Sequence, residues 1–266
     1  MSVNKKYKDS LFRSIFNNEI NLLELYNAIM GTNYKDWSII EINTLTDVLF
    51  AAMKNDISFN VNKKMVILIE HQSTINENMP LRMLSYIADI YEKMTDERIY
   101  KNSLIKIPEP KFIVLYNGTS PFPKEKYLKL SDAFEKIDSN SSISLDLIAR
   151  VININKEYNP ELMRRSKTLD GYATFVAKVR EYEKEYPFEE AVKLAVKYCM
   201  ENGILVDYFK QNSTEVVNMF TEYNVDIAMK VAREEGIEKG QNHILELMAQ
   251  GLSYEEIKKK IEETSK

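Results

Sequence analysis

Three polar residues close an otherwise apolar run: Met65 to Ile69 reads MVILI, and Glu70, His71 and Gln72 follow at once. An unbroken apolar run of this length suits a strand buried on both faces. Polar side chains at its end then need a partner, a metal ion or water. The stretch before it, KNDISFNV, reads as a second strand, with Asn62-Lys63 at the turn between them. Alternation sets Glu70 and Gln72 on one face and His71 on the other, and it groups Asp56 with Lys54 and Ser58. An antiparallel hairpin turning at Asn62-Lys63 brings Asp56 opposite the end of the second strand, near Glu70. Two carboxylates about 4 Å apart repel by roughly 4 kcal/mol at an effective dielectric of 20. A hard divalent cation such as Mg²⁺ removes that repulsion, because it takes carboxylate, carbonyl and water oxygens. Asp56, Glu70 and the backbone carbonyl of His71 are therefore the candidate metal ligands.

A plainer reading stands beside this one. Acids on neighbouring strands also occur with no chemistry attached, and Asp56 could pair at a sheet edge with Lys54 or Lys64. His71 could be a ligand, an acid–base group or an ordinary hydrogen-bonded histidine. Spacing alone leaves these open.

The elements that must position these residues are legible on either side. Tyr7–Phe16 and Leu22–Met30 carry apolar residues at helical spacing, with Gly31 placed as a C-cap. Asp9, on the first of these, is either an additional acid for the hairpin or a helix-start aspartate. Ile39–Leu45 reads as the first strand of the sheet. After the hairpin, Asn76 to Pro80 starts a helix, with an asparagine at the cap and Pro80 in the first turn. Met83, Leu84, Ile87, Tyr91 and Met94 then form a stripe that packs over the sheet. Arg82 and Tyr86 sit one turn apart near its start, suited either to clamping a phosphate or to an ion pair and a core tyrosine. Phe112–Tyr116 is the next buried strand, followed by a Pro-rich loop, TSPFPKEK. Leu145–Ile154 is a further strand. The order α–β–β–β–α–β results.

From Asn159 onward the pattern is helical, with helices opening at Pro160 and after Pro187 and a stop at Asn202-Gly203. Thr214 and Asn224 read as later caps. Asp226–Ala249 is heavily charged with a narrow apolar stripe, which suits an oligomer contact. Ser253 and Glu256 form a capping box for a last short helix. Three segments follow: residues 1–157 as the core, 158–223 as a helical extension, and 224–266 as a charged helical tail expected to join copies of the chain.

Composition narrows the function classes only modestly. The 266 residues carry a net charge of −4 and an apolar content of 44%, ordinary for a soluble globular protein. That charge gives no global attraction to nucleic acid, so any contact with DNA must be local. Lys54, Lys64 and Arg82 flank the hairpin and are the candidate nucleic-acid-binding residues. The single cysteine, Cys199, permits no internal disulfide and reads as a core residue. No stretch approaches membrane-spanning length and the N-terminus has no apolar leader, so a cytoplasmic protein is expected.

The hairpin resembles the metal-binding core of PD-(D/E)xK nucleases. More narrowly, the chain resembles the recombination-promoting nuclease (Rpn) family, also described as PD-(D/E)xK-type transposases. The segments that carry the likeness are YKDSLFRSIF, KNDISF, VILIEHQSTINENMPLRMLSY, PKFIVLYNG, YNPELMRRSKTLDGY and EEGIEKGQ, in that order. The resemblance implies a mixed sheet flanked by helices and a metal-dependent endonuclease acting on DNA in recombination or mobile-element biology. Its cofactor would be Mg²⁺, or Mn²⁺ or Ca²⁺. It makes Asp56 the first metal-ligand aspartate and Glu70 the second acid, with Gln72 at the position of the usual lysine. Glutamine can hydrogen-bond a water, but it supplies neither positive charge nor a base at neutral pH. The chain is thus either a nuclease that works with Asp56, Glu70 and Gln72, or a catalytically inactive nuclease-fold protein acting as a DNA-binding or regulatory oligomer.

Overall fold

The computed structural model describes residues 6–42, 57–135, 143–212 and 216. Asp56, Lys54, Thr214, Asn224 and the 226–266 tail lie outside the described residues, as does the end of the first expected strand beyond Ile42. By internal contacts the chain divides into Met1–Val217 and Asn218–Lys266. The description that follows concerns the first unit.

Two helices open the fold, α1 (Lys6–Phe16) and α2 (Glu19–Met30). The Asn18 side chain caps α2 by accepting from the Asn21 N–H, and Gly31 ends it in the left-handed conformation, φ 74°. The chain then enters β1 (Ile40–Ile42), and β2 (Ile57–Val61) and β3 (Met65–Gln72) form the expected hairpin. Its turn is tight: Asn62 and Lys63 both have positive φ, 52° and 56°. The Lys64 N–H closes the turn on the Val61 carbonyl at 3.1 Å. Asparagine tolerates that conformation better than most residues.

Helix α3 (Met79–Thr95) crosses over to β4 (Glu109–Tyr116), which lies parallel to β3. Next come β5 (Glu125–Lys129) and β6 (Ile148–Asn153), the latter parallel to β4. The described strands make one six-stranded mixed sheet in the order β1-β2-β3-β4-β6-β5. Helices α4 (Pro160–Arg165), α5 (Lys167–Tyr182) and α6 (Phe188–Glu201) follow, and residues 206–212 are again helical. None of the described helices is long and apolar enough to cross a membrane.

β5 corrects the expectation of a loop through TSPFPKEK. Only Leu128 of EKYLK is buried, and its charged neighbours and the preceding prolines hide the strand in the sequence. Such charge is what an edge strand needs to avoid pairing with other chains. β6 also starts later than expected, at Ile148 rather than Leu145.

Both faces of the sheet are covered, which explains why β2 and the interior of β3 are buried throughout. Val66 and Leu68 of β3, with Phe112, Val114 and Val151, pack under Met83, Ile87 and Ile90 of α3. By alternation Ile67, Ile69 and His71 face the other way, where α1 and α5 lie. The stripe expected on α3 is therefore the layer over one face, with Leu84, Tyr91 and Met94 at its margin. Cys199 is buried in α6, and burial pushes its thiol up to about 12.

Candidate functional site

The hairpin register runs Ile57↔Ile69, Ser58↔Leu68 and Phe59↔Ile67. The residue after Asp56 thus pairs with the residue before Glu70. Glu70 follows Leu68 on the α3 face, and it is the point where that face turns from apolar to charged. Its side chain is only 5% exposed, so the strand carries a carboxylate into the interior. An ionised carboxylate there must be met by charge or hydrogen bonds.

Helix α3 supplies both. Nη2 of Arg82 lies 3.3 and 3.4 Å from the two Glu70 oxygens. The same guanidinium donates to the Tyr86 hydroxyl from Nη2 at 2.8 Å and from Nε at 3.2 Å. One helical turn separates Arg82 from Tyr86, so both lean over the end of β3. Tyr86 is buried, and burial pushes its hydroxyl up to about 12; the Glu70 charge and a hydrogen bond to that carboxylate act in the same direction. Hydrogen-bond complementarity orients the Gln72 amide: its oxygen accepts from Nη1 of Arg82 at 3.2 Å, and its nitrogen donates to the Thr74 carbonyl at 3.3 Å. Glu70, Gln72, Arg82 and Tyr86 therefore form one connected group at the carboxyl end of β3.

His71 belongs to a different environment. Its ring stacks on Phe12 of α1 with centroids 5.1 Å apart. Its Nε2 shares a hydrogen bond of 2.8 Å with the Tyr172 hydroxyl of α5. The imidazole thus sits on the opposite face from Glu70, as alternation requires; the metal role expected for His71 concerned its backbone carbonyl. Helix α1, which carries Asp9, lies on that same opposite face.

Lys64 lies in the hairpin turn, exposed, at the other end of β3 from Glu70. Six residues of extended strand separate them, about 20 Å, so Lys64 does not reach Glu70. Lys54 and Asp56 fall outside the described residues. Arg82 is the expected nucleic-acid-binding residue that the fold does bring to Glu70.

Of the two expected metal-ligand acids, only Glu70 lies among the described residues. Glu70 offers oxygen ligands on a rigid strand, and a positive group, Arg82, already occupies its carboxylate. Among the described residues no cluster of three or more His, Cys, Asp or Glu forms a cage by itself.

Two contributors were not singled out from the sequence. Tyr172 is one, 101 residues from His71. The other is Arg180 of α5, which donates to Oδ1 of Asn155 at 2.8 Å and Oδ1 of Asn117 at 2.7 Å, tying α5 to the segments just beyond β4 and β6. Tyr172 lies in YNPELMRRSKTLDGY, but nothing in that segment announces its partner.

An α/β sheet with a buried acid and an arginine at the carboxyl end of a central strand defines the architectural class. Residues 33–202, more than half of the chain, match the family described as putative transposase, YhgA-like, and the chain belongs to that family. No curated protein and no solved structure matches it.

Proposed function

We propose that this protein is a metal-dependent endonuclease that hydrolyses DNA phosphodiester bonds, in a sheet of the PD-(D/E)xK type. The observation that carries this reading is the buried Glu70 carboxylate beside a hairpin whose last described pair is Ile57↔Ile69. The order α–β–β–β–α–β, with the α3 crossover between parallel β3 and β4, supports the fold assignment. Membership of a transposase family supports DNA as the substrate and recombination or mobile-element biology as the setting.

Asp56 and Glu70 would hold the cation, Mg²⁺, Mn²⁺ or Ca²⁺, with the His71 carbonyl as a further oxygen ligand. Such an ion supplies Lewis acidity and lowers the pKa of a nearby water. Gln72 orients water or a phosphate oxygen through its amide. Tyr86 fixes the direction of Arg82. In the reaction a water oxygen bonds to phosphorus and the bond to the leaving oxygen breaks. The water loses a proton, the leaving oxygen gains one, and a phosphate monoester and a hydroxyl remain.

The test is plasmid cleavage by purified protein with each of the three ions. Nicking or linearisation is expected for the native chain, with loss in Asp56→Ala and Glu70→Gln. Plasmid left intact with all three ions, and identical behaviour of the variants, would sink the proposal.

A further inference from the structure

Beyond the end of α3 remote from Arg82 lie the two most exposed large apolar side chains among the described residues, Tyr100 at 87% and Leu104 at 82%. With Tyr91, Ile99, Ile105 and Ile107 they line one open cavity of about 1100 Å³. Apolar side chains scattered singly are ordinary on a protein surface, whereas a contiguous group marks a contact. The segment that presents them is fixed at both ends. Asp96 turns the chain off α3 with φ 43°, and Nε of Arg98 holds that turn by donating to the Thr95 carbonyl and to Oδ1 of Asp96, both at 3.2 Å. The Tyr91 hydroxyl donates to the Pro108 carbonyl at 2.6 Å, just before β4. A surface held in place this way loses little freedom when it is covered.

Charge indicates what covers it. Glu92, Glu97 and Lys101 line the same cavity, and none of the three makes an ion pair among the described residues. The carboxylates repel a phosphate backbone and an anionic lipid surface alike. A face with both signs around an apolar centre suits its own copy, because a two-fold axis sets the acid of each chain against the base of the other.

We infer that this face joins two copies of the chain, with Ile99, Tyr100 and Leu104 at its centre and Glu97 of each copy facing Lys101 of the other. The inference is independent of the catalytic reading. The contact lies where β4 begins, and the 17 residues of α3, about 25 Å of helix, separate it from the end of β3 that carries Glu70. Joining two chains there leaves each candidate site to its own chain.

The experiment follows the mass of the full chain by sedimentation velocity over micromolar concentrations, with circular dichroism as the control for folding. The native chain is expected to dimerise. Leu104→Glu is expected to weaken dimerisation about a hundredfold, because it places a charge at the apolar centre. Glu97→Lys and Lys101→Glu are each expected to weaken it about tenfold, by setting like charges together. An equal mixture of those two variants is expected to recover it, since every pairing between unlike copies is then of opposite sign. Mixing cannot repair a contact made within one chain. A native chain that stays monomeric at every concentration overturns the inference, and the patch then belongs to a different protein or to another segment of the same chain. Association that Leu104→Glu leaves unchanged also overturns it and places the contact elsewhere, the 224–266 tail included. A mixture no more associated than its components overturns it as well, and decides the matter if Leu104→Glu does not fold.

Discussion

Two arginine–glutamate pairs lie on opposite faces of this sheet, and they are built differently. Arg150 and Glu125 form a closed fork, with Nε and Nη2 donating to separate carboxylate oxygens at 2.9 and 2.8 Å. The third nitrogen, Nη1, donates to the Ile29 carbonyl at the end of α2 at 3.1 Å. That pair joins β5, β6 and α2, and its two side chains are exposed to a similar degree, 32% and 24%. Arg82 and Glu70 are joined by one nitrogen at longer range, and their exposure is unequal. A pair that holds elements together gains from closure on both sides. The second pair is longer, and it sets a buried acid against a more exposed cation. The same two residue types thus make two pairs of different geometry.

The largest effect that would sharpen this contrast is expected at Glu70. Glu70→Gln keeps the shape of the side chain, so cleavage should fall by about a thousandfold, near 4 kcal/mol of transition-state stabilisation, with the melting temperature little changed. Equal cleavage by the variant in single-turnover assays would remove Glu70 from the chemistry.

His71, one residue further along, should behave in the opposite way. His71→Ala empties the space between Phe12 and Tyr172 and removes one hydrogen bond of the buried Tyr172 hydroxyl, which keeps its bond to the Lys8 carbonyl, costing about 3 kcal/mol of stability. Cleavage per folded molecule should remain near native. Denaturant titration beside an activity assay separates the two, and a loss of cleavage without loss of stability would refute the division between faces.

Arg150→Ala should cost about 1–2 kcal/mol, because it opens the fork and leaves the Ile29 carbonyl without that donor. A calorimetric melt checks it, with no change expected in Mn²⁺ affinity. The smallest effect concerns pH. The Arg150 hydrogen bond holds the Glu125 carboxyl below its ordinary value. A depressed folded pKa stabilises the protein above the unfolded pKa, and that contribution is lost as pH falls through the folded pKa. Glu125→Gln should therefore flatten the acid limb of the stability curve slightly, by less than 1 kcal/mol. A limb as steep as the native one would assign the acid sensitivity to other carboxylates.

Much of the scaffold could be read from the sequence because it rests on local rules. The hairpin followed from an apolar run, alternation and Asn62-Lys63. Helix α3 followed from Pro80 and a stripe at helical spacing, and α2 ended where Gly31 said it would. β5 was hidden because its one buried side chain, Leu128, sits among charges that suit an edge. The candidate site was half legible. Glu70, Gln72 and Arg82 could each be picked out by type, but their connection could not. The Glu70–Arg82 contact depends on how α3 lies across the sheet, which no spacing rule supplies. The His71–Tyr172 bond spans 101 residues, so the partner of that histidine was invisible in any window around it.

That last bond also bears on how the protein can be cut. Tyr172 stands beneath the strand that carries Glu70, and Arg180 from the same helix grips the chain beyond β4 and β6. A fragment stopping at residue 157 would retain every described strand and the acid at issue, yet lose the floor under them. His71 of β3 would lose its Tyr172 partner, and Phe12 of α1 the ring packed against its edge. An inactive fragment of that kind would be evidence of a missing foundation, and would say nothing against the chemistry of Glu70.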